Sequence, residues 1–220
     1  MRWDWVARHG SEIAAATRQH VELTAWAVAL GLAISFPLAL AARRWRWLRG
    51  PVLGAAGLVF AVPSLALFSL LVPVYGLSRL NALIGLVGYT LLILVRNVLA
   101  GLDGVPDDVR EAARGMGYRP ARQLVTVDLP LAAPVILAGI RVATVTTVGL
   151  VTVTALIAQG GLGALIVEGI NRDFRTPVVV GSVLSVAVAV AADLLLAAAG
   201  RALTPWSNGR SSARSEGRAA

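Results

Sequence analysis

The sequence predicts an all-α membrane protein, and three observations carry that prediction. Of its 220 residues, 57% are hydrophobic and only 15% charged, whereas soluble domains carry about 25% charged residues. The apolar residues are gathered in blocks long enough to cross a bilayer, which takes about 20 residues of helix. A polar stretch, 103–130, interrupts these blocks and carries helix signals of its own. Backbone in lipid must satisfy its hydrogen bonds internally, so the blocks are read as helices.

Residues 1–20 hold Asp4, Glu12, Arg2, Arg8 and Arg18 and no apolar run, which argues against a cleavable leader. They are read as an extracytoplasmic N-terminal segment. The transmembrane domain is expected over 21–203, in five spans. The first covers 23–41 and contains Pro37; the basic turn after it carries Trp45 and Trp47 as interfacial anchors. The second covers 52–72 and is broken at Pro63-Ser64. The third covers 81–102, with Arg96 inside it. The fourth covers 131–158 and contains Arg141. A glycine cluster, Gly160-Gly161-Leu162-Gly163, then leads into a polar loop. The fifth span covers 178–200 and contains Asp193. The Ser, Gly, Arg and Ala tail, 204–220, reads as disordered.

Arginines outside the spans give the orientation. Arg43, Arg44, Arg46 and Arg49, then Arg110, Arg114, Arg119 and Arg122, then Arg201, Arg210, Arg214 and Arg218 make twelve on one side. Arg2, Arg8, Arg18, Arg79, Arg172 and Arg175 make six on the other. The positive-inside rule then puts the N-terminus outside, with the long loop and C-terminus in the cytoplasm. The same arrangement accounts for the net charge of +8 through contact with membrane lipid rather than nucleic acid.

Composition also removes chemistry. There is no cysteine, so no disulfide or thiolate site. All twenty basic residues are arginine, so the chain has neither a Schiff-base lysine nor a P-loop of its own. It has no HExxH, no paired aspartates and no Ser-Lys arrangement, and both histidines lie before the first span as drawn above. Catalytic residues, cofactors and metals are therefore not expected, and the chain is not read as an enzyme.

In the loop, Pro106 suits a first helical position, followed by Asp107 and Asp108 at the positive end. Gly117 suits the residue just past a helix. Pro120 suits the start of a second short helix, which Pro130 is expected to end. Ala112 and Ala113 give a small face that a partner can approach closely, flanked by Glu111 and Arg114. Taken alone, these features also fit an amphipathic loop lying on the membrane.

The full spacing is more particular. Glu111-Ala112-Ala113, three residues, Gly117, nine residues, then Val127, one residue, Leu129-Pro130 resembles the EAA loop of ABC importer permeases, with valine where isoleucine is commoner. That resemblance implies the type I importer permease fold. It implies that Glu111, Ala112, Ala113, Arg114, Gly117, Leu129 and Pro130 belong to a coupling loop that docks on a separate ATPase subunit. It further implies a second permease subunit, as homodimer or paralogue pair, and an extracytoplasmic solute-binding protein. ATP hydrolysis is then expected on the ATPase subunit.

Further strings, Val62-Pro63-Ser64-Leu65-Ala66-Leu67, Tyr89 with Arg96-Asn97, Ala138-Gly139-Ile140-Arg141 and Gly160-Gly161-Leu162-Gly163, are similar to the quaternary-amine permeases. This implies import of an osmoprotectant such as glycine betaine, choline or proline betaine. The alternatives are a permease for another small solute, an amino acid or sulfonate, and a stand-alone secondary transporter. Ser64, Tyr89 and Asn97 are candidate path-lining groups. Arg141 and Asp193 are expected to pair at similar depth, since intramembrane charges need partners; Arg96 is the competing partner for Asp193.

Overall fold

The computed structural model describes residues 2–206. A short helix α1 (Trp3–Arg8) leads into α2 (Gly10–Arg44), a 3₁₀ turn at Arg46–Leu48, α3 (Arg49–Ala61), α4 (Ser64–Tyr75) and α5 (Arg79–Asp103). The loop holds α6 (Asp107–Gly115) and α7 (Pro120–Gln123). Then follow α8 (Leu129–Val153), α9 (Leu162–Asn171) and α10 (Arg175–Leu203). The tail reading, 204–220, falls mostly outside the described residues.

Among the described residues, four helices are long and apolar enough to cross a membrane by length and composition; the pair Arg46–Ala61 and Ser64–Tyr75, bent by 97°, makes a fifth if counted as one broken span. The bend sits where Pro63 cannot donate and Val62 is extended. Its freed carbonyl is satisfied from outside: the Tyr89 hydroxyl on α5 donates to Val62 O. Tyr89→Phe keeps the edge-on packing against Phe60, whose ring centroid lies 5.9 Å away, but leaves Val62 O without that donor. It is expected to destabilise the chain by about 1 kcal/mol, read by unfolding in detergent.

Three expectations differ from the structure. The first long helix begins at Gly10, inside the segment read as extracytoplasmic, because 10–22 is itself good helix sequence; His20 therefore lies within it, fully buried. The stretch after the glycine cluster is the apolar helix α9 rather than a polar loop. Its Glu168 is neutralised by Arg172 one turn on, at 2.8 Å. Pro130 does not end a helix: 120–157 is a continuous rod. A π-helical turn at Leu124–Asp128 absorbs the missing proline donor, the Leu129 amide reaching back to Leu124 O.

The bundle is built around α5, which is buried along its length between α2 and α8. One core cluster, at the end that carries α6, packs Val95, Val98, Leu99 and Leu102 of α5 against Ala39, Ala42 and Ala132. The other, at the far end, packs Leu86 and Ala82 against Leu23, Phe68 and Val151. Small residues let the backbones close in, as membrane helices require: a Cβ at Gly139 of α8 would collide with Asn97 of α5. The far end is closed by α9, whose Gly163 sits on the Thr152 backbone and whose preceding Gly161, at φ +45°, lies against the His20 backbone. His20 Nε2 donates to Val148 O at 3.1 Å, tying α2 to α8 there. The outermost span, α10, lies on α8 and α9.

Candidate coupling loop and intramembrane charges

The loop is folded by local signals. Pro106 precedes the helix rather than opening it, and α6 begins at Asp107. It ends in a Schellman turn: Tyr118 N donates to Ala113 O at 3.1 Å and Gly117 N to Arg114 O at 2.9 Å. This turn needs Gly117 in the left-handed region, at φ +79°. Pro120 then opens α7 as expected, and the Arg122 guanidinium stacks over the Tyr118 ring at 4.5 Å.

At 100° per residue, two adjacent alanines cannot share a face. Ala113, only 1% exposed, turns inward with Arg110, one turn earlier. The expected small face of Ala112 and Ala113 is therefore split. Glu111, Ala112 and Arg114 point outward. Met116, 70% exposed between two glycines, joins them. Leu129 and Pro130 lie half-buried at the start of α8, with Leu129 on the core cluster. The motif thus has an outer set, free to meet a partner, and an inner set that fixes the loop to the bundle.

The inner set includes Arg43, Arg49 and Arg110, expected from the sequence only as orientation signals, and carboxylates that pair with them. Asp128, just before Leu129, is 4% exposed. Its Oδ2 accepts from Arg43 Nη1 of α2 at 3.2 Å, and its Oδ1 faces Arg110 Nε of α6 at 3.5 Å. Arg110 also donates to Leu102 O at the end of α5, and pairs with Asp107 at 3.1 Å. Asp103 of α5 pairs with Arg49 at 2.9 Å and with Arg43 at 3.8 Å. One connected network therefore ties α6 to the ends of α2, α5 and α8. The signal available in the sequence was a lone carboxylate beside Leu129-Pro130, three residues before the fourth apolar span.

Farther along the spans, on the partly exposed face between α8 and α10, Arg141 and Asp193 form a two-pronged pair, Nε to Oδ1 and Nη2 to Oδ2, both 2.8 Å. Arg96 is exposed and forms no ion pair among the described residues. Tyr89 is used at the Val62 break. Asn97 donates to Ile93 O of its own helix at 2.8 Å while packing on Gly139. Ser64 is half-buried at the first turn of α4.

Residues 30–205 match the model of the family described as binding-protein-dependent transport system inner membrane component. This chain belongs to that family. It is a multi-pass inner-membrane protein. Among curated family members, it is 39% identical to the osmoprotectant import permease protein OsmW of Salmonella typhimurium, over 88% of this chain and 92% of that one. It is 35% identical to the choline transport system permease protein OpuBB of Bacillus subtilis, over 90% and 91%. The glycine betaine/carnitine/choline transport system permease protein OpuCB of the same organism is 33% identical over 90% and 91%. Among solved structures, a chain of the inward-facing MetNI methionine ABC transporter superposes with a TM-score of 0.72 at 18% identity, over 93% of this chain and all of that one. That likeness establishes the fold of this family member and nothing about its solute.

Proposed function

We propose that this chain is the transmembrane subunit of an ATP-driven importer that carries a small quaternary-amine osmoprotectant, such as choline, glycine betaine or proline betaine, across the cytoplasmic membrane. The observation that carries the solute class is the 39% identity to an osmoprotectant permease over nearly the whole chain. A separate ATPase subunit docks on the outer set of the loop, centred on Glu111, Ala112 and Met116, with Arg114 at the edge that faces α2, and the inner set passes its movement to the spans. The chain works with a second permease subunit, either a copy of itself or a paralogue, and receives solute from an extracytoplasmic binding protein. The N-terminus lies outside and the α6 end inside, on the arginine asymmetry and the positive-inside rule. Hydrolysis belongs to the ATPase subunit, in keeping with a chain that has no lysine.

Quaternary ammonium recognition usually needs an aromatic cage. This chain has six Trp, three Tyr and four Phe; most of the Trp lie near span ends, and Phe68 and Tyr89 are consumed in packing. Solute choice therefore rests with the binding protein. The test is uptake into proteoliposomes holding this chain, its ATPase and its binding protein. ATP-dependent, saturable uptake of labelled choline or glycine betaine is expected. Uptake of methionine or a sulfonate in its place would overturn the solute class.

A further inference from the structure

An open groove runs between α2 and α8. Its central hollow, about 770 Å³, is walled by Phe36, Pro37, Val125, Pro130, Ile136 and Leu137. A second hollow of about 490 Å³ shares Ala29 and Leu32 with it and continues toward the far end of the bundle. Both are apolar. One turn beyond Phe36, toward α6, the same face of α2 presents Leu40 and then Arg44, at the i, i+4 spacing that stacks side chains along one stripe. There a third hollow, about 570 Å³, changes chemistry. Leu40 and Leu124 form its apolar floor, and Arg43, Arg44, Arg114 and Tyr118 its rim.

Charge in this third hollow is unbalanced. Its one carboxylate, Asp128, is already held by Arg43 and by Arg110 behind it. Arg44 and Arg114 are exposed and form no ion pair among the described residues. Trp45, next to Arg44, and Trp47, two residues on, are 52% and 73% exposed. Such tryptophans settle at the membrane–water boundary. The arginine rim thus stands at headgroup level, and the apolar groove runs from it into acyl-chain depth.

We infer that this groove binds an anionic glycerophospholipid, with its phosphate between Arg44 and Arg114 and its acyl chains along α2 and α8. An apolar segment of protein would fill the groove but leave the two guanidinium groups unanswered. A zwitterionic lipid would bring an ammonium group against the arginines. Because Arg44 is on α2 and Arg114 on α6, the bound phosphate bridges the first span to the loop helix, alongside the Asp128 network.

The test uses the full chain, delipidated in neutral detergent and titrated with phosphatidylglycerol, phosphatidylcholine or inorganic phosphate, with bound molecules counted by native mass spectrometry. Phosphatidylglycerol is expected to bind far more tightly than the other two. Arg44→Gln, at an exposed position, is expected to weaken it by about fivefold, and Arg44→Gln with Arg114→Gln by about thirtyfold, at about 1 kcal/mol per arginine. Arg96→Gln, elsewhere on the surface, is expected to leave it unchanged, and Leu32→Trp to reduce it by filling the groove. Equal binding of both lipids, or retention of phosphatidylglycerol by the double variant, overturns the inference. So does inorganic phosphate binding as tightly as the lipid. A Leu32→Cys chain that cross-links through this position to a second copy in membranes overturns it as well, making the groove a subunit interface.

Discussion

Asp128→Ala is expected to destabilise the chain by on the order of 3 kcal/mol and to loosen α6 from the bundle. Asp128 is 4% exposed and sits between Arg43 of α2 and Arg110 of α6. Among the described residues, removing it leaves Arg110, itself 8% exposed, with only the solvent-exposed Asp107 as a carboxylate partner, and Arg43 with only Asp103 at 3.8 Å. An uncompensated buried charge costs far more than a buried pair gains. The same reasoning fixes the control. Replacing the group together, Asp128→Leu with Arg110→Met and Arg43→Met, removes the stranded charges and is expected to recover most of the stability. Unfolding in detergent measures both variants. Wild-type stability in Asp128→Ala would mean that the network is ornamental. Function separates the two variants further: the apolar triple variant is expected to fold yet transport poorly, because the hydrogen bonds that orient α6 on three helix ends are gone.

Gly163→Val is the second large effect. Gly163, in the first turn of α9, lies directly against the backbone of Thr152, where a Cβ would fall well inside van der Waals contact with the carbonyl oxygen. Backbone cannot swing aside as a flexible side chain can, so α9 must move off α8. Overpacking of this kind costs about 1–3 kcal/mol. The disturbance spreads, because Gly161 rests on the His20 backbone and α9 carries α10. Misassembly of α9 and α10 is the expected outcome, seen as loss of monodisperse protein and increased protease sensitivity. Gly149→Ala, in α8 with nothing within 4 Å of the added carbon, is expected to be neutral or slightly stabilising. Equal behaviour of the two variants would contradict the packing argument.

The helices were legible because lipid demands long apolar runs; each run produced one, except 52–72, which produced α3 and α4 across the break at Pro63. Gly117 was legible because a helix end of this type needs a left-handed residue. Other features depended on information that periodicity does not hold. The start at Gly10 was hidden because 10–22 carries polar residues on a helix that continues beyond the apolar run. The passage through Pro130 depended on the π turn at Leu124–Asp128, which relieves the lost hydrogen bond and has no sequence signature as firm as the proline itself. The split of Ala112 from Ala113 followed from helix geometry and was available from the spacing. Which of the two turned inward was not. The Asp128 network needed five segments brought together, from Arg43 to Asp128, and contacts across such separations are invisible to local pattern.

On the outer side of α6, Ala112 and Glu111 stand exposed side by side, where an ATPase subunit would meet them. The direct measurement is reconstitution of Ala112→Trp and Glu111→Arg chains with the ATPase subunit and binding protein, following ATPase copurification and ATP-driven solute uptake together. Both residues face outward, so each variant is expected to fold normally but to lose ATPase association and uptake, Ala112→Trp most severely. Variants that fold, bind the ATPase and transport at wild-type rates would contradict the assignment of this loop as the coupling element.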